Sequence, residues 1–392
     1  MLLWLYSAVL LGLLPFFPVV KFAARKRGNV TLLSRFSTSF PEGEEKILLH
    51  VSSVGEATSV KPLVRALKGK VAITVFTDYG LGRVKKLYPE TPSRLLPVDI
   101  YPVVKSFLKK TKPKKILIYE TEIWPSLLKA AKEQGIPVYF VSGKISDRSF
   151  KNYKRLRKFL KPLVDKAVFL ARTEKDAERA KEVGFGRVFT VGDLKLDVPK
   201  PENLAELHIE GERKVLIWGS THPGEEELAF KVHKKLKEHF PSILTVIAPR
   251  HVGRAKELSP PGKTAFRSKT KRISKNVDFY IVDTIGELAS LYRYADVCII
   301  GGSFVPGIGG HNPVEAVLWK KPVIMGKFCN DFRDVAELLQ IPTAKKEELP
   351  ELLKNLLSNE TIYNKFCEDT FSSYLKQRGV TERILESIGE RG

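Results

Sequence analysis

A chain of 392 residues exceeds what one ordinary hydrophobic core holds, and two domains of common size account for it. With 43% hydrophobic and 28% charged residues the composition is globular, which excludes a disordered or fibrous chain. The formal charge of +22 asks for an anionic partner, and the 3 cysteines, Cys298, Cys329 and Cys367, are too widely spaced for a metal site or a disulfide framework, as expected in a reducing cytosol.

The first predicted element, residues 2–20, is an apolar run interrupted only by Ser7, Gly12, Pro15 and Pro18. At about 1.5 Å per residue it just reaches across a hydrocarbon core of roughly 30 Å, or it lies in the interface. Lys21, Arg25, Lys26 and Arg27 follow at once, and no acid precedes Glu42. That order fits an anchor rather than a cleaved signal peptide. It keeps the rest of the chain on the cytoplasmic side, with the basic cluster against anionic headgroups. Residues 1–27 are assigned as this membrane anchor.

Compact apolar runs at 46–51, 71–76, 115–119, 138–141 and 167–170 predict parallel strands buried on both faces, with helices such as 59–67 and 124–133 between them. A second series follows Asp197, with strands at 214–218, 244–248, 279–282, 297–300 and 322–325 and helices at 225–239 and 286–294. The pattern is α/β: two doubly wound, Rossmann-like domains, residues 28–192 and 202–392. Gly192, Pro199 and Pro201 mark a linker over 193–201, and the last helices, after Glu347, are free to pack back on the first domain. Residues 258–277 read as a basic loop, with Lys263, Arg267, Lys269, Lys271, Arg272 and Lys275 and no acid, either solvated or touching membrane or substrate.

Doubly wound folds bind ligands at the carboxyl ends of their strands, and the motifs follow strands directly. His50-Val-Ser-Ser-Val-Gly-Glu56 ends in a carboxylate able to take a proton from a substrate hydroxyl. Ser53-x-x-Glu56 is equally a capping box, in which Glu56 bonds the Ser53 amide. Thr284-Ile-Gly-Glu287 and Asn312-Pro313-Val314-Glu315 carry the same ambiguity. Around them stand Gly301-Gly302, Gly309-Gly310-His311 and Pro249-Arg250-His251. Glycines there admit a nucleotide, glutamates accept from ribose hydroxyls, and Arg250 offers a phosphate a fork. Gly-x-Gly-x-x-Gly in its dinucleotide form is absent, which disfavours a nicotinamide enzyme. Glu120-Thr-Glu122-Ile-Trp124-Pro125 either raises the Glu56 pKa by like charge or merely starts a helix. Lys195, in Gly192-Asp-Leu-Lys195-Leu-Asp197, is a ligand for a leaving phosphate or sugar carboxylate, or a surface lysine.

Taken in order, Val51-Ser-Ser-Val-Gly-Glu56, Glu120-Thr-Glu-Ile-Trp-Pro125, Ser146-Asp-Arg-Ser149, Gly219-Ser-Thr-His222, Gly224-Glu-Glu-Glu227, Pro249-Arg-His251, Asp283-Thr-Ile-Gly-Glu-Leu288 and Gly309-Gly-His-Asn-Pro-Val-Glu315 resemble the signature segments of bacterial 3-deoxy-D-manno-octulosonic acid (Kdo) transferases. The resemblance covers nearly the whole chain. It implies a GT-B fold, two Rossmann-like domains facing across a cleft, that moves Kdo from CMP-Kdo to the lipid A precursor (lipid IVA) with inversion and without a metal or other cofactor. The place is the cytoplasmic face of the inner membrane, with anionic lipid as a partner and no nucleic acid. It further implies Glu56 as general base and Glu120 and Lys195 as transition-state stabilisers. Pro249, Arg250, Ile285, Gly286, Glu287, Asn312, Pro313, Val314 and Glu315 become the CMP contacts. Two segments depart from the family pattern: 32–40 replaces a basic stretch with tryptophan and glutamate, and Ser142-Gly143-Lys144 stands where Asn-Ala-Arg is usual. The alternatives are another GT-B transferase or an epimerase using a UDP- or GDP-sugar, or a membrane-tethered module that binds acidic ligands.

Overall fold

The computed structural model describes Arg35 and residues 46–390. The expected anchor, 1–27, and the departing segment 32–40 apart from Arg35 lie outside the described residues. Among those described, no helix is long and apolar enough to cross a membrane. The chain divides into two compact units, Met1–Asp197 with Gly379–Gly392, and Val198–Arg378.

The first unit is a parallel seven-stranded sheet in the order β3-β2-β1-β4-β5-β6-β7. Its strands are β1 (Ile47–Val51), β2 (Val71–Val75), β3 (Ser93–Leu95), β4 (Lys115–Tyr119), β5 (Val138–Gly143), β6 (Val168–Ala171) and β7 (Arg187–Thr190). Side chains alternate along each strand, so neighbours enter opposite layers. Leu48, Ile116 and Phe140 join one core with helices Tyr101–Thr111 and Pro125–Glu133. Leu49, Leu117 and Val141 join the other with helix Lys61–Ala66. Truncating such a residue to alanine costs about 2–5 kcal/mol. The edge strands β3 and β7 escape the sequence pattern because they are short and only partly covered; Arg187 and Phe189 are exposed.

Helix Val380–Ser387 completes this unit. Val380, Ile384 and Ile388 enter the second core layer. The Asp197 carboxylate caps the helix by accepting from the amides of Gly379 (2.8 Å) and Thr381. The second unit therefore ends at Arg378.

The second unit holds β8 (His208–Ile209), β9 (Val215–Thr221), β10 (Leu244–Pro249), β11 (Thr264–Phe266), β12 (Arg272–Ile273), β13 (Phe279–Ile281), β14 (Val297–Ile300), β15 (Val323–Gly326) and β16 (Thr343–Ala344). Seven of them form a second parallel sheet, β11-β13-β10-β9-β14-β15-β16, and β8 pairs with β12. The stretch 258–277 is thus not a plain loop; its strands of two and three residues are too short to print a period. Both large sheets reverse direction beside their first strand, at β1/β4 and at β9/β14. A doubly wound sheet opens its ligand crevice outside the carboxyl ends of the strands at that point.

Candidate active site

At the first switch point β1 delivers Ser52 to Glu56 and β4 delivers Glu120 to Trp124. Ser53 caps helix Val54–Ser59, its Oγ accepting from the Glu56 amide at 3.3 Å. Glu56 returns a bond to the Ser52 amide, which donates to Oε2 at 2.7 Å, and the Ser53 hydroxyl donates to Oε1 at 3.3 Å. The capping box is therefore shifted by one residue from the expected Ser53 amide. Burial is the main influence on the Glu56 carboxyl, and it outweighs the Ser52 amide. With the charges of Glu120 and Glu122 it pushes the group up to about 8.

Each neighbouring glutamate is held separately. Glu120 sits in left-handed backbone, φ 55°, uncommon outside glycine and a feature that clusters at functional sites. Its Oε1 receives the Lys195 ammonium at 3.3 Å. Burial opposes charge on Lys195, yet Asp193 and Glu120 outweigh it and hold the ammonium above its ordinary range. Lys195 is consequently no surface residue. Glu122 Oε2 lies 3.0 Å from His50 Nε2 and accepts from the Trp124 indole at 3.1 Å. Burial raises its pKa, but the His50 and Trp124 bonds prevail and keep it below the usual carboxylate range. His50 is buried, its Nδ1 3.1 Å from the Thr74 hydroxyl. Trp124 packs against the core as the residue before Pro125, which opens its helix.

Ser142, at the end of β5, positions the loop that bears Lys195: its hydroxyl accepts from the Leu194 amide at 3.0 Å. A Cβ on Gly143 would lie 2.3 Å from the Phe169 ring, so the glycine where alanine is usual makes room for that phenylalanine.

In the second unit the acids are occupied. Glu225, fully buried, accepts from the amides of His222 (2.9 Å), Gly302 (2.7 Å) and Phe304 (2.9 Å), and so ties the loop after β14 to the loop after β9. Glu226, also buried, takes the Thr221 hydroxyl at 2.9 Å and a fork from Arg254 at 2.7 and 3.3 Å. Gly301 has no room for a side chain, since a Cβ would stand 2.4 Å from the Ser220 carbonyl oxygen. That close approach serves the chain's own packing.

Glu287 is not a cap glutamate of the expected kind. It precedes helix Leu288–Leu291 and is gripped by Arg267, whose Nε reaches both carboxylate oxygens at 3.1 Å. Arg267 is buried, so one of the charges read as a basic loop is an internal partner. Ile285 is 87% exposed and Gly286 beside it is exposed too, which leaves both accessible to a ligand. Asn312 Oδ1 accepts from the Val314 amide at 2.9 Å, one residue before Pro313, the N-cap of helix Val314–Val317. Pro313 and Val314 are buried and Glu315 is half-buried. Pro249 ends β10, and Arg250 is exposed with no ion-pair partner among the described residues. His222 and His311 also meet here, Nε2 to Nε2, at 2.8 Å. Among the described residues no group of His, Cys, Asp and Glu has a geometry for a metal ion.

Residues 28–198 match the family model described as 3-deoxy-D-manno-octulosonic-acid transferase (kdotransferase). The 3-deoxy-D-manno-octulosonic acid transferase of Aquifex aeolicus is 31% identical over 325 residues, covering 79% of this chain and 85% of that protein. The chain belongs to the Kdo transferase family. A bifunctional glycosyltransferase/methyltransferase of Fusobacterium nucleatum is 32% identical over 375 residues, which cover 88% of this chain and 57% of that longer protein. The UDP-GlcNAc 2-epimerase of Neisseria meningitidis, a crystal structure with UDP-GlcNAc bound, superposes with a TM-score of 0.57 at 14% identity, over 88% of this chain and 100% of that one. That likeness is of fold alone, and the fold is GT-B.

For this Kdo transferase, a glycosyltransferase, the expected residues fall into two sets, one on each unit. Glu56, Glu120 and Lys195 stand at the first switch point. Pro249, Arg250, 285–287 and 312–315 stand at strand ends of the second sheet. Glu122, His222, Glu225, Glu226 and His311 were in the motifs but not among the expected site residues. The signal for the buried pair was there: two adjacent acids at the start of helix Glu225–Lys237 have amides to bind, and burial demands a partner for each.

Proposed function

We propose that this Kdo transferase moves Kdo from CMP-Kdo to a lipid A precursor of the lipid IVA type, with Glu56 as general base and without a metal. The observation that carries this reading is the state of Glu56. The Glu56 carboxyl takes part in the cap, yet it is half-buried beside the charges of Glu120 and Glu122 and is pushed up to about 8. A base near the working pH is the better proton acceptor.

In the proposed step the acceptor sugar hydroxyl gives its proton to Glu56 as its oxygen attacks the anomeric carbon. The bond from that carbon to the phosphate oxygen breaks, its electron pair stays on the phosphate, and CMP leaves with inversion of configuration. Lys195, kept charged by Asp193 and Glu120, stabilises negative charge, and Glu120 faces positive charge on an oxocarbenium-like sugar. Arg250 forks the phosphate, while Pro249, Ile285, Gly286 and residues 312–315 surround the nucleotide. Glu287 contributes through its pairing with Arg267. The basic segment after residue 20 would hold the enzyme on anionic lipid at the cytoplasmic face of the inner membrane, where the acceptor's diffusion is two-dimensional.

Glu56→Gln should reduce turnover with CMP-Kdo and a tetraacylated lipid A precursor by about 10²–10⁴-fold while CMP still binds. Turnover near wild type would leave Glu56 as a cap only. Thermal stabilisation by UDP in preference to CMP would overturn the donor assignment.

A further inference from the structure

The proposed reaction makes no use of the surface that follows β5. Helix Asp147–Arg155 begins there, and Leu156 joins it to helix Arg157–Val164. Phe150, Tyr153, Phe159 and Leu163 pack inwards against the first core layer. The opposite face carries Arg148, Lys151 and Arg155 at i, i+3 and i+7, then Lys158 and Lys161 at i and i+3, and all five are exposed. No residue of the first helix is buried, so it stands out from the sheet, resting on helices Arg157–Val164 and Glu174–Val183.

Among the described residues none of these five cations has an ion-pair partner. Three acids that border the face are held by other groups. Asp147 pairs with Arg179, Asp165 with Lys132 at 2.8 Å, and Glu182 with Lys154 at 2.7 Å. A basic side chain without an acid keeps its charged head in water, free to meet an anion from outside. Leu156, 53% exposed, stands at the junction of the two helices between Arg155 and Arg157. An apolar side chain set among outward cations is the composition of a helix that lies on a bilayer.

The shape of the face says which kind of anion it fits. A single phosphate is held by donors that converge on it. These cations instead point outward in a row along two helices, roughly 20 Å of helical rise, which matches a plane of charges. The face also lies close to the reacting groups. β5 neighbours β4, and the loop leaving β4 carries Glu120, Glu122 and Trp124. Burial first, then the Glu122 charge, raise the pKa of the Tyr153 phenol, so this helix is within electrostatic reach of Glu122.

We infer that this face docks the first unit onto an anionic membrane surface, with Lys151, Arg155 and Lys158 among the headgroup phosphates and Leu156 dipping below them. It is a second contact, built on the folded unit and separate in sequence from the basic segment after residue 20. Anionic headgroups attract each nearby Lys or Arg, and the attraction falls off within a Debye length, so only the outward face takes part. Docking there would hold Glu56, Glu120 and Glu122 close to headgroup level, where the sugar of a lipid acceptor lies. The inference rests on the proposed lipid acceptor for its purpose alone, since docking is measured without turnover.

The test uses the full chain with vesicles of phosphatidylcholine alone or of phosphatidylcholine mixed with phosphatidylglycerol. An environment-sensitive fluorophore on Leu156→Cys reports contact at the face itself, whatever the first residues do, with labelled wild type as the background. Its emission should shift to the blue on the mixed vesicles and not on the neutral ones. Adding Lys151→Gln, Arg155→Gln and Lys158→Gln together should abolish that shift and weaken binding to the mixed vesicles by about a hundredfold. The control is Lys263→Gln, Lys269→Gln and Lys271→Gln together, which removes the same charge from the second unit and should leave the shift intact. Absence of a shift on the mixed vesicles overturns the docking face. So does an equal loss in the control, since net charge alone then explains the binding. Duplex DNA bound as tightly as the mixed vesicles, and released by the same three substitutions, would assign the face to nucleic acid and overturn it too. Docking with no turnover of a lipid A precursor is a different result: it removes the acceptor reading and leaves the membrane face standing.

Discussion

At the β1/β4 switch point Glu56, Glu120 and Glu122 are close enough for the charges of the other two to raise Glu56, and Lys195 is the cation that answers Glu120. At β9/β14 the acids are bonded away inside the fold, Glu225 to amides and Glu226 to Arg254, and beside them stand exposed Arg250 and His251 with half-buried His222 and His311. In both units the site lies where the strand order reverses beside the sheet's first strand, so the fold fixes where a site lies but not its charge. Local pairing decides that. A carboxylate saturated by buried donors is part of the frame, whereas one left partly unsatisfied and desolvated is available for chemistry.

Three measurements test that distinction, in order of expected effect. Glu225→Ala removes the acceptor of three amides, each costing about 1–3 kcal/mol when left unpaired and buried, so urea denaturation should show a loss of about 3 kcal/mol or more. A loss below about 1 kcal/mol would mean that Glu225 is not framework.

Glu56→Gln should act on stability in the opposite direction, and only at high pH. The folded-state carboxyl titrates at about 8, above its value in the unfolded chain, so its favourable contribution is complete at low pH and is lost as pH rises through 8. Glutamine has no such loss. The variant should melt above wild type at about pH 9, with the difference shrinking towards about pH 5. Equal melting temperatures across that range would show that Glu56 is not held against ionisation.

The smallest effect is expected from Glu122→Gln. Its charge is only a secondary cause of the Glu56 shift, behind burial. Removing it should lower the Glu56 pKa and move the alkaline-rising limb of activity to lower pH, by less than about one unit. A shift to higher pH would refute the like-charge coupling.

Much of the frame was legible because local periodicity encodes burial. The runs that became β1, β2, β4, β9, β10 and β14 are nearly all apolar, as strands covered on both faces must be, and they place the motifs at strand ends. The edge strands β3, β7 and β11 were not legible, since short, half-covered strands need no continuous apolar run. The family membership was equally present in the order of the motifs.

What only the tertiary structure decided is which partner each charged group received. Ser52, not Ser53, donates its amide to Glu56; Arg267 leaves its basic stretch to grip Glu287; Asp197 closes on a helix that begins after Gly379. His222 and His311, 89 residues apart, share one hydrogen bond. Spacing along the chain carries no information about such pairs, because they are set by how strands far apart in sequence are ordered in a sheet. Sequence determined which residues stand at the strand ends, and packing determined which of them remain free to act.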